Sequence, residues 1–210
     1  MVPKLHDEKV KELLDRIKSK YKAIYLPVRV ESFALINECF PNVEKKIAKD
    51  GGNIVYGWQI WKGNLICEAE FHAVWRSNEG NLIDITPKVS KVEQILFIQD
   101  DNVIYNGSQV DNIRINCTKN VLVNDIIDIH ESLFKIRNRG ERKFSYEIKL
   151  GRMEAQVYKE LEEININLQK YIYQGGEINT PCFCENGDKY NYSECHKKRL
   201  HSLIMLSEEF

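Results

Sequence analysis

An α+β fold is what the 210-residue sequence predicts: a helix leading into an antiparallel sheet, further helices, and a small cysteine-rich tail. Three observations point there. Between residues 53 and 99, apolar and polar residues alternate in short β-branched runs separated by Gly/Asn turns. From 120 to 173 the apolar residues change to helical spacing. Four candidate metal ligands then crowd between 182 and 196. The pattern predicts an α+β domain over 1–145, a long amphipathic helix within 146–176 and a metal-binding tail over 177–210.

The first helix is expected over 7–21, with Val10, Leu13, Leu14 and Ile17 on one stripe. Pro27 interrupts the next segment. The stretch "ECFPNVEKKIAKDGG" reads as a short helix with Pro41 at its first position, Gly51-Gly52 as its stop, and Cys39 just before it. Strands are expected next at 53–62, 65–77 and 82–87, joined by turns at Gly63-Asn64 and 78–81, which makes a meander. Further strands are expected at 94–99, 102–106 and 111–118, and a helix at 120–138. In the long helix 152–173, Met153, Val157, Leu161, Ile164, Leu168 and Tyr171 form one stripe. That stripe suits packing within the chain, or a partner helix in an oligomer. Glycines 51, 52 and 57 read as turn and close-packing residues, because no phosphate-loop spacing is present.

The tail "PCFCENGDKYNYSECH" carries Cys182, Cys184, Cys195 and His196. Three thiolates and an imidazole suit a closed, structural zinc site, which folds a segment too short to build a core. The stretch resembles the SEC-C motif, found at the C-terminus of the SecA translocation ATPase and of many other bacterial proteins. That motif runs C-x-C, Ser-Gly, Lys-Tyr, then C-C or C-H. Here Asn186-Gly187 stands for Ser-Gly, Lys189-Tyr190 matches, and Cys195-His196 closes the set. The gap from Cys184 to Cys195 is two residues longer than the family's usual one, and Asn191 to Glu194 would absorb them as a wider turn. The resemblance implies a structural zinc knuckle that docks on a partner protein or the ribosome.

The stretch "EAEFHAVW" (68–75) sets Ala69, Phe71, Ala73 and Trp75 on one strand face and Glu68, Glu70 and His72 on the other. Asp84 lies on the next strand and can share a face with His72. Cys39 precedes a helix, whose N-terminus favours an anion. A thiol beside an imidazole, with a carboxylate fixing the tautomer, is the apparatus of a cysteine nucleophile. Backbone N–H groups at the start of the 41–49 helix, and less directly Gln59, are candidate oxyanion donors. The order Cys39, His72, Asp84, spaced 33 and 12 residues apart, resembles the papain-like superfamily, above all its transglutaminase-like branch. The motifs are His72-Ala73-Val74-Trp75 and Asp84-Ile85-Thr86-Pro87, with Phe40 where the family commonly has tryptophan beside the cysteine. The resemblance implies a nucleophile-bearing helix packed on an antiparallel sheet. It also implies attack by Cys39 on an amide or acyl carbonyl through a thioester, with water (hydrolase) or an amine (transferase) as acceptor.

Two other readings compete. One is a metal-dependent enzyme with Glu68, Glu70 and His72 as ligands, against a plainly solvated face for the two glutamates. The other is a non-catalytic adaptor that docks through the zinc knuckle. The net charge of −1 gives no reason to expect nucleic acid, and Arg137, Arg139, Arg142 and Lys143 read as a solvated basic loop. No apolar run is long enough for a membrane span, and the charged N-terminal stretch lacks a signal-peptide core, so a cytoplasmic location is expected. Cys39, Cys67 and Cys117 stand apart from the cluster and most simply suit small buried hydrophobes, a reading that competes with the nucleophile role for Cys39.

Overall fold

The computed structural model describes residues 2–145 and 147–210. They form two compact units: the chain up to Asn106 together with Val110–Cys117, and Gly107–Gln109 together with Thr118–Phe210. The architecture is mixed α+β, with five α-helices and six strands among the described residues.

The first unit begins with α1 (Glu8–Ile17), where the Asp7 side chain caps the first turn by accepting from the Lys9 and Val10 N–H groups. This helix stops earlier than its sequence pattern implies, because Lys18 adopts a left-handed conformation (φ 56°). Strand β1 (Ile24–Pro27) was not legible from sequence. Pro27 does not interrupt a segment; it ends an edge strand, where its missing N–H costs no ladder bond. Helix α2 (Cys39–Asp50) includes Cys39 as its first residue, so Cys39 lies within the helix and Pro41 inside its first turn. Then come β2 (Asn53–Lys62), β3 (Ile66–Arg76), β4 (Leu82–Ile83), β5 (Gln94–Gln99) and β6 (Ile113–Asn116).

The sheet order is β1-β5-β2-β3-β4, with β6 also pairing with β3, and each of these strand pairs is antiparallel. The expected strand over 82–87 is cut to two residues for a specific reason. At Asp84 the chain leaves β3 and bonds to the far edge: Asp84 N–H donates to the Pro27 carbonyl at 3.0 Å, and Arg29 N–H donates to the Asp84 carbonyl at 2.8 Å. These bonds bring the two edges together, so the sheet is nearly a barrel and Asp84 sits at its seam. The stretch 102–106 is also not a strand. The Asp100 carboxylate accepts from Asn102 N–H and turns the chain. Tyr105 then stacks on Phe40, one residue from Cys39, with ring centroids 3.8 Å apart.

Alternation along β3 divides two cores. On one side Ala69 and Phe71 join Trp58, Ile60, Leu96, Ile98 and Ile115 under Val10, Leu13 and Ile17 of α1. Ala73 continues that side under Cys39 and Val43 of α2. The other side is the barrel interior, where Leu26, Val55, Val74, Ile95 and Phe97 pack together. Each such side chain contributes about 1.5–3 kcal/mol when fully buried. Gly57 pairs with His72 across the β2/β3 ladder. A Cβ there would lie 2.2 Å from the Ile98 carbonyl oxygen and 2.5 Å from the Phe97 ring, so the position admits only glycine.

The second unit packs α3 (Leu122–Arg137), α4 (Arg152–Tyr173) and α5 (His196–Glu209) against one another. On α4 the residues Val157, Leu161, Ile164, Leu168 and Tyr171 are buried, whereas Met153 is 66% exposed and leaves the stripe. Helix α5 was not visible as a helix in the sequence. Its Leu200 and Leu203 are buried, and the Arg139 guanidinium donates to the carbonyls of Ser207 and Glu208 at its last turn. Arg142 grips Glu154 with two bonds of 2.7 and 2.6 Å. These two arginines are thus structural partners, not members of a free basic loop. No helix among the described residues is long and apolar enough to cross a membrane.

Candidate functional site

The barrel interior is apolar up to His72, where it opens into a cavity of about 1290 Å³. Cys39, His72, Thr86, Lys88, Glu70 and Trp61 all contribute to its wall. His72 is 4% exposed and Asp84 is fully buried. His72 Nε2 lies 3.2 Å from Asp84 Oδ1, which also accepts from the Thr86 N–H at 3.0 Å. The other carboxylate oxygen, Oδ2, holds the Lys88 ammonium at 2.8 Å. Register explains the encounter: Trp75 pairs with Ile83, so the ladder extended by one residue sets Asp84 beside Val74, diagonal to His72 on the interior face.

The charge states are set by this packing. Burial works against a charged His72, but the Asp84 carboxylate and negative charge on the Cys39 sulfur outweigh it and raise the imidazole from 6.5 to about 9. Burial likewise opposes ionisation of Asp84, yet His72 and Lys88 hold its carboxyl well below the usual range. Burial pushes the Cys67 thiol up to about 12 and raises Cys117 as well, which disfavours their thiolates.

Cys39 reaches the cavity because α2 is tied to the segment carrying Asp84. The buried Asn42 side chain accepts from Leu35 N–H at 2.9 Å and donates to the Leu35 carbonyl at 2.7 Å. It also reaches Thr86 Oγ1 at 3.3 Å. No side chain among the described residues caps the first turn of α2; Pro41 has no N–H and the Asn42 N–H donates to the Glu38 carbonyl at 2.9 Å, which leaves the N–H groups of Cys39 and Phe40 at the helix end. Asn42, Thr86 and Lys88 do not stand out in the sequence. The only signal for Asn42 is a polar residue on the inner face of a short helix.

The other candidates from the sequence have separate roles. Gln59 is buried, its amide has no hydrogen-bond partner among the described residues, and it is not part of the cavity wall. Glu68 pairs with Arg114 at 3.4 Å and accepts from Asn112, and Glu70 accepts from the Trp61 indole N–H at 2.7 Å. With His72 turned to Asp84, these three side chains each have their own partner, and the two glutamates form a half-buried rim.

In the second unit, Cys182, Cys184, Cys195 and His196 offer ligand atoms that all lie within 4.8 Å of one another, close enough to hold a metal ion. A two-residue ribbon makes this possible: Pro181 bridges Asn191, and Cys182 N–H donates to the Tyr190 carbonyl at 3.0 Å. Gly187 is needed in the loop, because a Cβ there would lie 2.2 Å from the Cys182 carbonyl oxygen. Asn191 to Glu194 forms a turn closed by Glu194 N–H donating to the Asn191 carbonyl at 3.1 Å. Cys184 and Cys195 sulfurs stand 3.7 Å apart, and His196 Nδ1 lies 3.1 Å from Cys182 Sγ and 3.5 Å from Cys195 Sγ. A tetrahedral zinc with Zn–S of about 2.3 Å has a sulfur–sulfur edge of about 3.8 Å, so the donor set fits that ion. Phe183 packs on the His196 ring, and the fully buried Tyr192 donates to Asp125 at 3.0 Å, which joins the loop to α3. Compared with protein-family models, curated proteins and solved structures, the chain matches none.

Proposed function

We propose that the sheet-bearing unit is a cysteine-dependent acyl-transferring enzyme, with Cys39 as nucleophile, His72 as general base and acid, and Asp84 as the group that orients His72. The observation that carries this is the meeting, on one cavity, of a cysteine at a helix N-terminus and a buried histidine whose Nε2 faces a buried carboxylate. That contact leaves Nδ1 for the thiol proton. The sulfur adds to an amide or acyl carbonyl, and first-turn N–H groups of α2 receive the oxyanion. The C–N or C–O bond breaks as His72 returns the proton to the leaving group. Water or an amine then attacks the thioester, gives its proton to His72, and the sulfur leaves and is reprotonated. The order and motifs of a papain-like, transglutaminase-like core support the same reading. The cavity exceeds the roughly 300–1,000 Å³ of a small-ligand pocket, which favours an extended substrate.

The Cys182/Cys184/Cys195/His196 set would hold a structural Zn²⁺ in the manner of a SEC-C knuckle, with no open position for substrate. Its role would be to fold the tail into a docking surface for a protein or ribosomal partner.

Limiting iodoacetamide and subsequent peptide mapping test the catalytic reading. Cys39 should react well ahead of Cys67 and Cys117, and His72→Ala should slow it by about 10²-fold or more. Labelling spread evenly over the three thiols would remove the proposal.

A further inference from the structure

Lys88 has no place in a Cys–His–Asp scheme, yet it is only 10% exposed at its side chain and lies in the wall of the same cavity. Its ammonium is 2.8 Å from Asp84 Oδ2 and 3.2 Å from His72 Nε2. The second contact is not a hydrogen bond in the working state. With Asp84 ionised, Nε2 carries the proton that faces Oδ1, and an ammonium cannot donate to a protonated nitrogen. Lys88 is therefore a like charge set against the imidazolium and held there by the carboxylate's other oxygen.

We propose that Lys88 is a positioning residue of this site: it shares the Asp84 carboxylate with His72 and thereby limits how strongly Asp84 retains the proton on the imidazole. The inference rests on the cysteine-enzyme reading for its purpose, though its geometry stands alone. The charged or titratable groups facing His72 are Cys39 from α2, Asp84 from the barrel seam and Lys88 from the segment after Pro87. Glu70 lies two residues away on β3 and is held by Trp61. Of these, only Lys88 acts against the imidazolium. A base that must also give its proton back works best when its affinity lies near the operating pH. Asp84 alone would hold the proton too tightly. Thr86 N–H keeps Oδ1 in place whether or not Lys88 is present.

The test is a histidine-selective NMR titration of the full chain, with the His72 signal assigned by its loss in His72→Gln. Lys88→Met should raise the His72 titration by about 1 pH unit, and Lys88→Arg should restore it. Lys88→Gln serves the same purpose if the Met variant does not fold. A lysine that only braces the loop would act in the opposite sense, because a loosened Asp84 lets His72 fall back toward its ordinary value. No shift, or a downward shift, in the neutral variants overturns the proposal. Failure of the cysteine reading would instead show in the iodoacetamide map, which this titration does not touch.

Discussion

Both units of this chain gather cysteine and histidine, but the two clusters stand in opposite relations to their surroundings. Cys39, His72 and Asp84 are set into a finished framework: two apolar cores and a closed seam hold them, and Asn42 and Thr86 fix their spacing. Cys182, Cys184 and Cys195 lie in a loop with little core of its own, where Tyr192 and Cys182 are the buried side chains, and His196 opens α5 directly after it. On the proposed reading, the first cluster depends on the fold, and the fold of the second depends on the cluster. A reactive thiol needs a scaffold that survives its chemistry, whereas a structural ligand set can be the scaffold.

The largest expected effect breaks this contrast most directly. If the cluster holds the proposed structural zinc, Cys182→Ser or treatment with a chelator should release residues 177–196 to proteolysis and hydrogen exchange, since such binding supplies on the order of 10 kcal/mol. Iodoacetamide reactivity at Cys39 should not change, and a parallel loss there would show that the two clusters are not independent. Next, Asp84→Ala should destabilise the sheet-bearing unit by about 3–5 kcal/mol in urea unfolding, because it strands the Lys88 charge among buried groups. Asn42→Ala should cost about 1–3 kcal/mol through the unpaired Leu35 groups, and should slow Cys39 alkylation by loosening α2 against Thr86.

The remaining effect is in pH. His72 is raised to about 9 in the fold, so its contribution is complete below pH 6.5 and disappears as pH rises through about 9. Asp84 is depressed, so its contribution is complete above pH 3.8 and is lost only in stronger acid. Wild type should therefore lose stability relative to His72→Gln as pH rises from about 6.5 through about 9, and equal slopes would mean that His72 is not held charged.

Legibility in the sequence divides along the same contrast. Strands β2 and β5 and helix α4 carry the expected bounds, because alternation and heptad spacing are local signals. Edge strand β1, with four residues and a proline, has too little pattern to declare itself. Helix α5 is hard to see because its buried face, Leu200, Leu203 and Ser207, includes a serine while apolar Met205 faces outward. The four candidate metal ligands were readable from spacing alone, since a loop site is built from neighbours in the chain. His72 and Asp84 were half readable: the 78–81 turn set them on neighbouring strands, but only the seam between Asp84 and Pro27–Arg29 brings the carboxylate to the imidazole. Lys88 and Asn42 were not readable, because their roles depend on where the chain goes after Pro87 and on how α2 lies against it.

The central claim, that Cys39 is an acyl-accepting nucleophile driven by His72, is tested most directly by exposing the protein to p-nitrophenyl acetate and mapping the product by mass spectrometry. The account predicts one acetyl group on Cys39, removable by hydroxylamine as a thioester is, and absent or greatly reduced in His72→Ala. Acetylation that avoids Cys39, or that proceeds equally without His72, would contradict it.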